Sequence, residues 1–333
     1  MNEQTTMGGA RRSKTSMAGK PIRIGMFANI AGQEQWVTIR GGDTGNPVLL
    51  VIGGPGGALS ALAPFFEPWE QRFTLVQWDQ PGAGSTHALH GDAGLGDYTL
   101  DRLTRDAIAV AEFAAHYLGI DKLVLLGLSG GSILGLRVAA ERPDLLAAYV
   151  GSGQIVHWQR QMALSYERLL DNAARANDEA ALAELRQIGP PPWRTLEDEV
   201  VASKYSGALT AEEQAELAAL DPAVLAAMQS PPPGADYVAP GVEIGDQRPQ
   251  ATRMFARLRA EIWNFDAWRL GTRFAVPMLF LQGEHDAMTV TSEVERFAHD
   301  LDAPRVAVVT VPGASHTTFF RRQTLLQLLH DTL

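Results

Sequence analysis

The sequence predicts an α/β fold: a mostly parallel central sheet flanked by helices, with a long helical segment inserted into it. Three observations predict it. Short apolar runs bounded by turn residues recur through the first 150 residues and return after residue 272. Stretches with helical periodicity lie between those runs. From Gly151 to about Leu270 the helical stretches continue with no strand-like run among them. Strands alternating with helices favour a parallel sheet covered on both faces.

Taken in order, Met1 to about Lys20 holds Arg11, Arg12, Lys14 and Lys20 among Ser, Thr and Gly, with no apolar stretch after them. That is not a secretory signal. A disordered leader over residues 1–20 and a cytoplasmic location are the expectations. Trp36 to Ile39 and Val48 to Ile52 read as strands. The second opens an uncharged run of twenty residues, Pro47 to Phe66, about the length a bilayer requires. Its three prolines and four glycines break a helix, so the run reads as a buried strand entering a glycine loop, with no membrane partner. Phe73 to Trp78 is the next strand. Leu100 to Leu118 is a helix, with Leu103, Ala107, Val110, Ala111 and Ala114 repeating at three and four. Leu123 to Leu128, nearly all Leu and Val, reads as a strand buried on both faces. Residues 21–150 thus form the first part of the core. Residues 151–271 form the helical insertion, broken by Pro190 to Pro192 and Pro231 to Pro233. Between Ser152 and Leu270 it carries 17 acidic and 11 basic residues, a net of −6 out of the chain's −10. Residues 272–333 resume the core with the strand Met278 to Leu281, a helix around Ser292 to His299, the strand Arg305 to Val311 and a last helix from about Thr317 to Leu333.

Composition removes several chemistries. The 333 residues include no cysteine, which excludes disulfides, thiolate nucleophiles and cysteine-based zinc sites. The net charge of −10 disfavours nucleic-acid partners, which need a clustered basic surface.

The strongest chemical signal is LVLLGLSGGSILGL, Leu123 to Leu136, which contains G-x-S-x-G as Gly127, Leu128, Ser129, Gly130 and Gly131. The pattern carries weight because a strand precedes it and a helix follows it. In that sharp turn the serine projects its hydroxyl clear of the sheet, while small neighbours let two chain segments approach. A serine nucleophile needs a base and the base an orienting acid, in the chain order Ser, Asp or Glu, His. Asp286 follows the strand Met278 to Leu281, and His316 follows the strand Arg305 to Val311 in a Gly-Ala-Ser turn. His285, His299 and His330 compete but lie in surface-like contexts. The oxyanion formed during attack requires two fixed N–H donors. Gly130, after the nucleophile, is one candidate; Gly54, in IGGPGG, is the other.

The loop GGPGG at Gly53 to Gly57, the segment WDQPGAGS at Trp78 to Ser85, the elbow GLSGGS at Gly127 to Ser132, QGEHD at Gln282 to Asp286 and PGASH at Pro312 to His316 together resemble α/β-hydrolases of the proline iminopeptidase family. The resemblance covers roughly residues 25 to 150 and 272 to 333, and is weaker through the insertion, which in that family would be a helical cap. It implies a serine hydrolase with Ser129 as nucleophile, Asp286 as orienting acid, His316 as base and Gly54 and Gly130 as oxyanion donors, without metal or cofactor. It also implies glutamates of the cap that hold a substrate's free amine, of which Glu261 in RAEIWNFD is the one candidate match. Three positions depart from the family pattern: Ile52 for His, Pro81 for Arg, and Gly130 for Trp, the last implying a roomier or differently shaped pocket beside the serine. Trp263, Phe265 and Trp268 are expected mainly to pack the cap, with one or two lining the pocket. The expected partner is a small molecule or short peptide, the first candidate being an N-terminal aminoacyl amide. A small ester, lactone or amide without a free amine is the alternative, and a non-catalytic receptor a third reading; the oligomeric state is left open.

Overall fold

The structure is a computed structural model that describes residues 19–193 and 195–333; most of the expected leader, residues 1–18, lies outside the described residues. Eight strands form one sheet: β1 (Ile22–Ile30), β2 (Gln33–Gly41), β3 (Val48–Ile52), β4 (Thr74–Trp78), β5 (Leu123–Leu128), β6 (Leu146–Ser152), β7 (Met278–Gly283) and β8 (Val306–Val311). Their spatial order is β1-β2-β4-β3-β5-β6-β7-β8. β2 is antiparallel to both β1 and β4, and all the remaining pairs are parallel.

The apolar runs become strands because side chains alternate between two covered faces. In β3, Leu50 and Ile52 join the cluster that contains Leu103, Val110 and Leu134. Leu49 and Val51 join Phe65, Phe66, Trp69, Leu325 and Leu329 on the other face. The helix Leu100–Leu118 has the bounds its periodicity implies. The Thr99 hydroxyl accepts from Arg102 N at its start, and Gly119 ends it in the left-handed region at φ 66°.

Two strands escape the sequence reading. β1 closes a hairpin with β2 through Ala31 and Gly32, at φ 48° and 91°, a primed turn that matches strand twist without an Asn-Gly signal. β6, LAAYVGS, is rich in small residues, so the chain leaves the sheet after Ser152, two residues later than the expected division at 150/151. The last helix is shorter than expected. It spans Arg322–Thr332, and a 3-10 turn at Thr318–Phe320 precedes it, leaving His316 in a loop.

Between β6 and β7 lie the helices Trp158–Ala176, Glu179–Ile188, Leu196–Ser206, Ala211–Ala218, Pro222–Gln229 and Arg248–Trp263. Among the described residues no helix is long and apolar enough to cross a membrane. The uncharged run Pro47 to Phe66 consists of β3, the glycine loop, a 3-10 turn at Leu59–Leu62 and a short helix, Ala63–Phe66.

Candidate active site

β5, β7 and β8 are parallel, and the loops at their carboxyl ends carry the three candidate residues. Ser129 occupies the turn between β5 and the helix Gly131–Glu141 at φ 51°, a left-handed backbone that non-glycine residues rarely adopt. Its N–H donates to Ser152 O at 2.8 Å. The turn is tight enough to exclude a side chain at position 131. A Cβ on Gly131 would lie 2.7 Å from Gly53 O and closer still to Ile52 O.

Ser129 Oγ lies 2.7 Å from His316 Nε2, and His316 Nδ1 lies 3.1 Å from Asp286 Oδ2. The network assigns the proton to Nδ1, leaving Nε2 to accept from the serine hydroxyl. Asp286 and His316 are both buried. Burial alone would raise the Asp286 carboxyl. Electrostatic attraction to the His316 ring, its hydrogen bond, and donors from Thr289 outweigh burial and hold the carboxyl below the usual range. Asp286 Oδ1 accepts from Met288 N and Thr289 N, both at 2.8 Å, and Oδ2 accepts from the Thr289 hydroxyl at 2.6 Å. The competing histidines His285, His299 and His330 are exposed.

Gly54 and Gly130 are brought together: a Cβ on Gly54 would be 3.7 Å from Gly130 N. Among the described residues neither N–H has a hydrogen-bond partner. Of the two expectations for the pocket beside the serine, the differently shaped one fits this side and the roomier one does not. A Cβ on Gly130 would press on Pro55 Cδ at 3.0 Å and Gly54 Cα at 3.1 Å, so the missing side chain lets the glycine loop approach the serine turn.

Ser129, Gly54 and Gly130 line a cavity of about 380 Å³. Its walls come largely from the inserted helices: Trp158, Met162, Trp193, Val200, Phe255 and Trp263 make it mostly apolar. Of the three aromatics near Glu261, Trp263 alone lines it. Phe265 is buried in the core, and Trp268 packs edge-on against Phe297.

Glu261 is not brought to the site. Its Oε2 accepts from Leu100 N at 3.0 Å, at the start of the helix Leu100–Leu118. In the helix Arg248–Trp263, Ala251, Phe255 and Arg259 face the cavity, while Met254, Leu258 and Ile262 are buried in the core. At about 100° per residue, Glu261 falls on the stripe of Met254 and Leu258. The charged residues lining the cavity, among those described, are Glu199 and Arg259. Arg259 Nε donates to Glu199 Oε1 at 2.7 Å, and Arg259 Nη2 donates to Trp193 O at 2.9 Å. The acidic excess of the insertion therefore lies outside the cavity.

Sequence reasoning also missed Thr289, Gly153 and Glu213. Thr289 had a local signal, since an Asp followed by small and polar residues accepts from backbone N–H groups two and three positions on. Gly153, at φ 57°, leaves room for the imidazole: a Cβ there would be 2.9 Å from His316 Cε1. Glu213, buried in the helix Ala211–Ala218, accepts from Ser315 N at 2.9 Å, beside His316. Nothing local in the sequence marks that contact.

A family model described as alpha/beta hydrolase fold matches residues 46–323. The chain belongs to the α/β-hydrolase family and is a hydrolase. This α/β-hydrolase is 27% identical over 313 residues to a probable aminopeptidase, YbaC, of Bacillus subtilis, covering 92% of this chain and 94% of that one. It is 32% identical over 178 residues to a probable proline iminopeptidase of Streptomyces coelicolor, 53% of this chain and 52% of the other. Among solved structures it resembles a proline iminopeptidase-related protein of Thermus thermophilus, with a TM-score of 0.62 at 20% identity over 93% of this chain and 96% of that one. At that identity the likeness speaks to fold.

Proposed function

We propose that the chain is a serine hydrolase that works through an acyl-enzyme, releasing an N-terminal residue from a short peptide or aminoacyl amide. The observation that carries the chemistry is the 2.7 Å contact between Ser129 Oγ and His316 Nε2 beside a cavity lined by Gly54 and Gly130, whose N–H groups have no hydrogen-bond partner among the described residues. Ser129 Oγ bonds to the substrate carbonyl carbon while His316 Nε2 takes the hydroxyl proton. Asp286 holds the imidazole by Nδ1 and stabilises the imidazolium. The Gly54 and Gly130 N–H groups receive the oxyanion, a role in which each donor is worth on the order of 100-fold in turnover. The carbon–nitrogen bond then breaks as His316 returns its proton to the leaving amine. Water, deprotonated by His316, cleaves the ester and regenerates Ser129. The segment between β6 and β7 serves as a cap whose helices form much of the cavity wall.

The aminopeptidase reading draws on the names of the relatives and on Glu199, a carboxylate in the cavity wall suited to a substrate ammonium. The pairing of Glu199 with Arg259 favours a second reading, an ester, lactone or amide without a free amine, because a carboxylate already neutralised gains less from an ammonium. A panel of prolyl, alanyl and N-blocked arylamides beside short-chain esters separates the two. The first reading expects free-amine arylamides to be preferred and Glu199→Gln to lose that preference while ester cleavage is kept; equal turnover of blocked and free amides overturns it. Fluorophosphonate labelling tests the chemistry itself. Failure to label the wild type, or equal labelling of Ser129→Ala, leaves the receptor reading.

A further inference from the structure

The segment after β4 contributes no reacting atom, yet it holds the loop that supplies one of the oxyanion donors. That loop, Gly53 to Gly57, has four glycines and a proline, and its internal hydrogen bond runs from Gly57 N to Gly54 O at 2.9 Å. Four glycines leave it with little intrinsic preference for one conformation. Its fixation comes from outside. Gln77 Nε2 donates to Leu59 O at 2.8 Å, and Asp79 Oδ1 accepts from Ser60 N at 3.1 Å, which together secure the turn that follows the loop. Gln80, buried, acts on the loop itself. Its backbone N–H donates to Gly57 O at 3.2 Å, and its side-chain Nε2 donates to Gly53 O at 2.8 Å. A carbonyl oxygen only accepts, so the end of the carboxamide facing Gly53 is its NH2.

The Gly53 carbonyl and the Gly54 N–H belong to one planar peptide unit. In a trans unit they point in opposite directions, so fixing the oxygen fixes the hydrogen. Donation to the carbonyl also draws electron density from the N–H, making it a better donor. The same oxygen is confined on another side by the serine turn, where a Gly131 Cβ would stand only 2.7 Å away. We propose that Gln80 is a positioning residue of the oxyanion site, its carboxamide holding the Gly53–Gly54 peptide so that the Gly54 N–H faces the oxygen that becomes negative during attack by Ser129. This rests on the oxyanion role proposed above for Gly54.

The test uses the full chain with a short-chain p-nitrophenyl ester, after fluorophosphonate labelling of the wild type at Ser129. Gln80→Met keeps the length and apolar stem, and it removes Oε1, which has no hydrogen-bond partner among the described residues, so the variant is expected to fold. Its kcat falls by about 10- to 100-fold with KM within about twofold, and its affinity for a boronic acid that forms a tetrahedral adduct falls in the same proportion. Gln80→Glu can donate to Gly53 O only when protonated, so its kcat relative to wild type rises as the pH is lowered. A merely structural role predicts neither the parallel loss of boronate affinity nor the pH-dependent ratio. Wild-type kcat in both variants, or a fall in kcat with boronate affinity unchanged, overturns the proposal while leaving Ser129 as nucleophile. An unlabelled wild type overturns both readings together.

Discussion

Replacing Gly131 by alanine tests how closely the serine turn and the glycine loop must fit. A Cβ at this position would stand 2.7 Å from Gly53 O and closer still to Ile52 O. An ordinary carbon–oxygen contact is about 3.3 Å, so the Gly53 oxygen must retreat by roughly 0.6 Å and the Ile52 oxygen by about twice that. Both obstacles are backbone at the carboxyl end of β3, which is paired with β4 and β5 and cannot rotate away as a side chain could. Overpacking of this kind costs about 1–3 kcal/mol. Alanine's better helix propensity at the first position of the helix Gly131–Glu141 offsets less than about 1 kcal/mol of that. The displacement also reaches function, because the Gly53 carbonyl moves with the Gly54 N–H. A misplacement approaching 1 Å in a catalytic group costs on the order of 100-fold, so kcat is expected to fall about 10- to 100-fold. The assay pairs ester turnover with urea unfolding and runs Gly245→Ala alongside. Gly245 is exposed, and a Cβ there meets nothing within 4 Å, so that variant should match wild type in both measurements. Gly131→Ala with kcat within twofold of wild type would refute the claim that the two segments are in fixed register.

Thr289→Val removes the 2.6 Å hydroxyl bond to Asp286 Oδ2, a bond to a charged acceptor worth about 1.5–3 kcal/mol. The Asp286 carboxyl is held low in the folded state, so its stabilisation is present above the unfolded value near 3.9 and lost as pH falls through the folded value. The valine variant should therefore begin to lose stability at a higher pH than wild type on acid titration followed by circular dichroism, and turn over about tenfold more slowly; identical acid midpoints would count against the assignment. Ser129→Gly and Ser129→Ala should both be inactive, but the glycine variant should be the more stable of the two by up to about 1 kcal/mol, since it relieves the positive φ at that position; a lower urea midpoint for glycine would refute backbone strain there. Glu213→Gln leaves one acceptor oxygen where two serve, Ser315 N and Thr210 N, and should lower both kcat and the unfolding midpoint, the latter by about 1–3 kcal/mol. Unchanged labelling kinetics at Ser129 would show that the helix Ala211–Ala218 does not brace the His316 loop.

What could be read from the chain depended on whether a signal was local. β3, β5 and β7 were legible because strands covered on both faces are continuously apolar, the candidate nucleophile and acid because they follow β5 and β7, and the candidate base because it follows β8, an apolar run that is only partly covered. β6 was not, since Ala, Gly and Ser have little strand preference of their own; Gly151 is small because a Cβ there would meet the Tyr149 hydroxyl at 2.9 Å, a tertiary constraint. Glu261 shows the failure of a different kind of inference. A local likeness to a binding motif says nothing about which side of a helix looks into a cavity, whereas the stripe Met254, Leu258 and Ile262 does, and Glu261 shares it. On the same wheel Phe255, Arg259 and Trp263 lie roughly 120–160° around the helix from Glu261, toward the cavity. That Arg259 meets Glu199 there could not be read locally, because the two lie 60 residues apart on different helices. The shape of this cavity is therefore a property of how the inserted helices pack, while the placement of the candidate residues Ser129, Asp286 and His316 follows from the order of strands in the sheet. Changes on the cavity-facing stripe of the helix Arg248–Trp263 should alter which substrates are accepted without disturbing the contact between Ser129 and His316, and changes at the ends of β5, β7 and β8 should do the reverse.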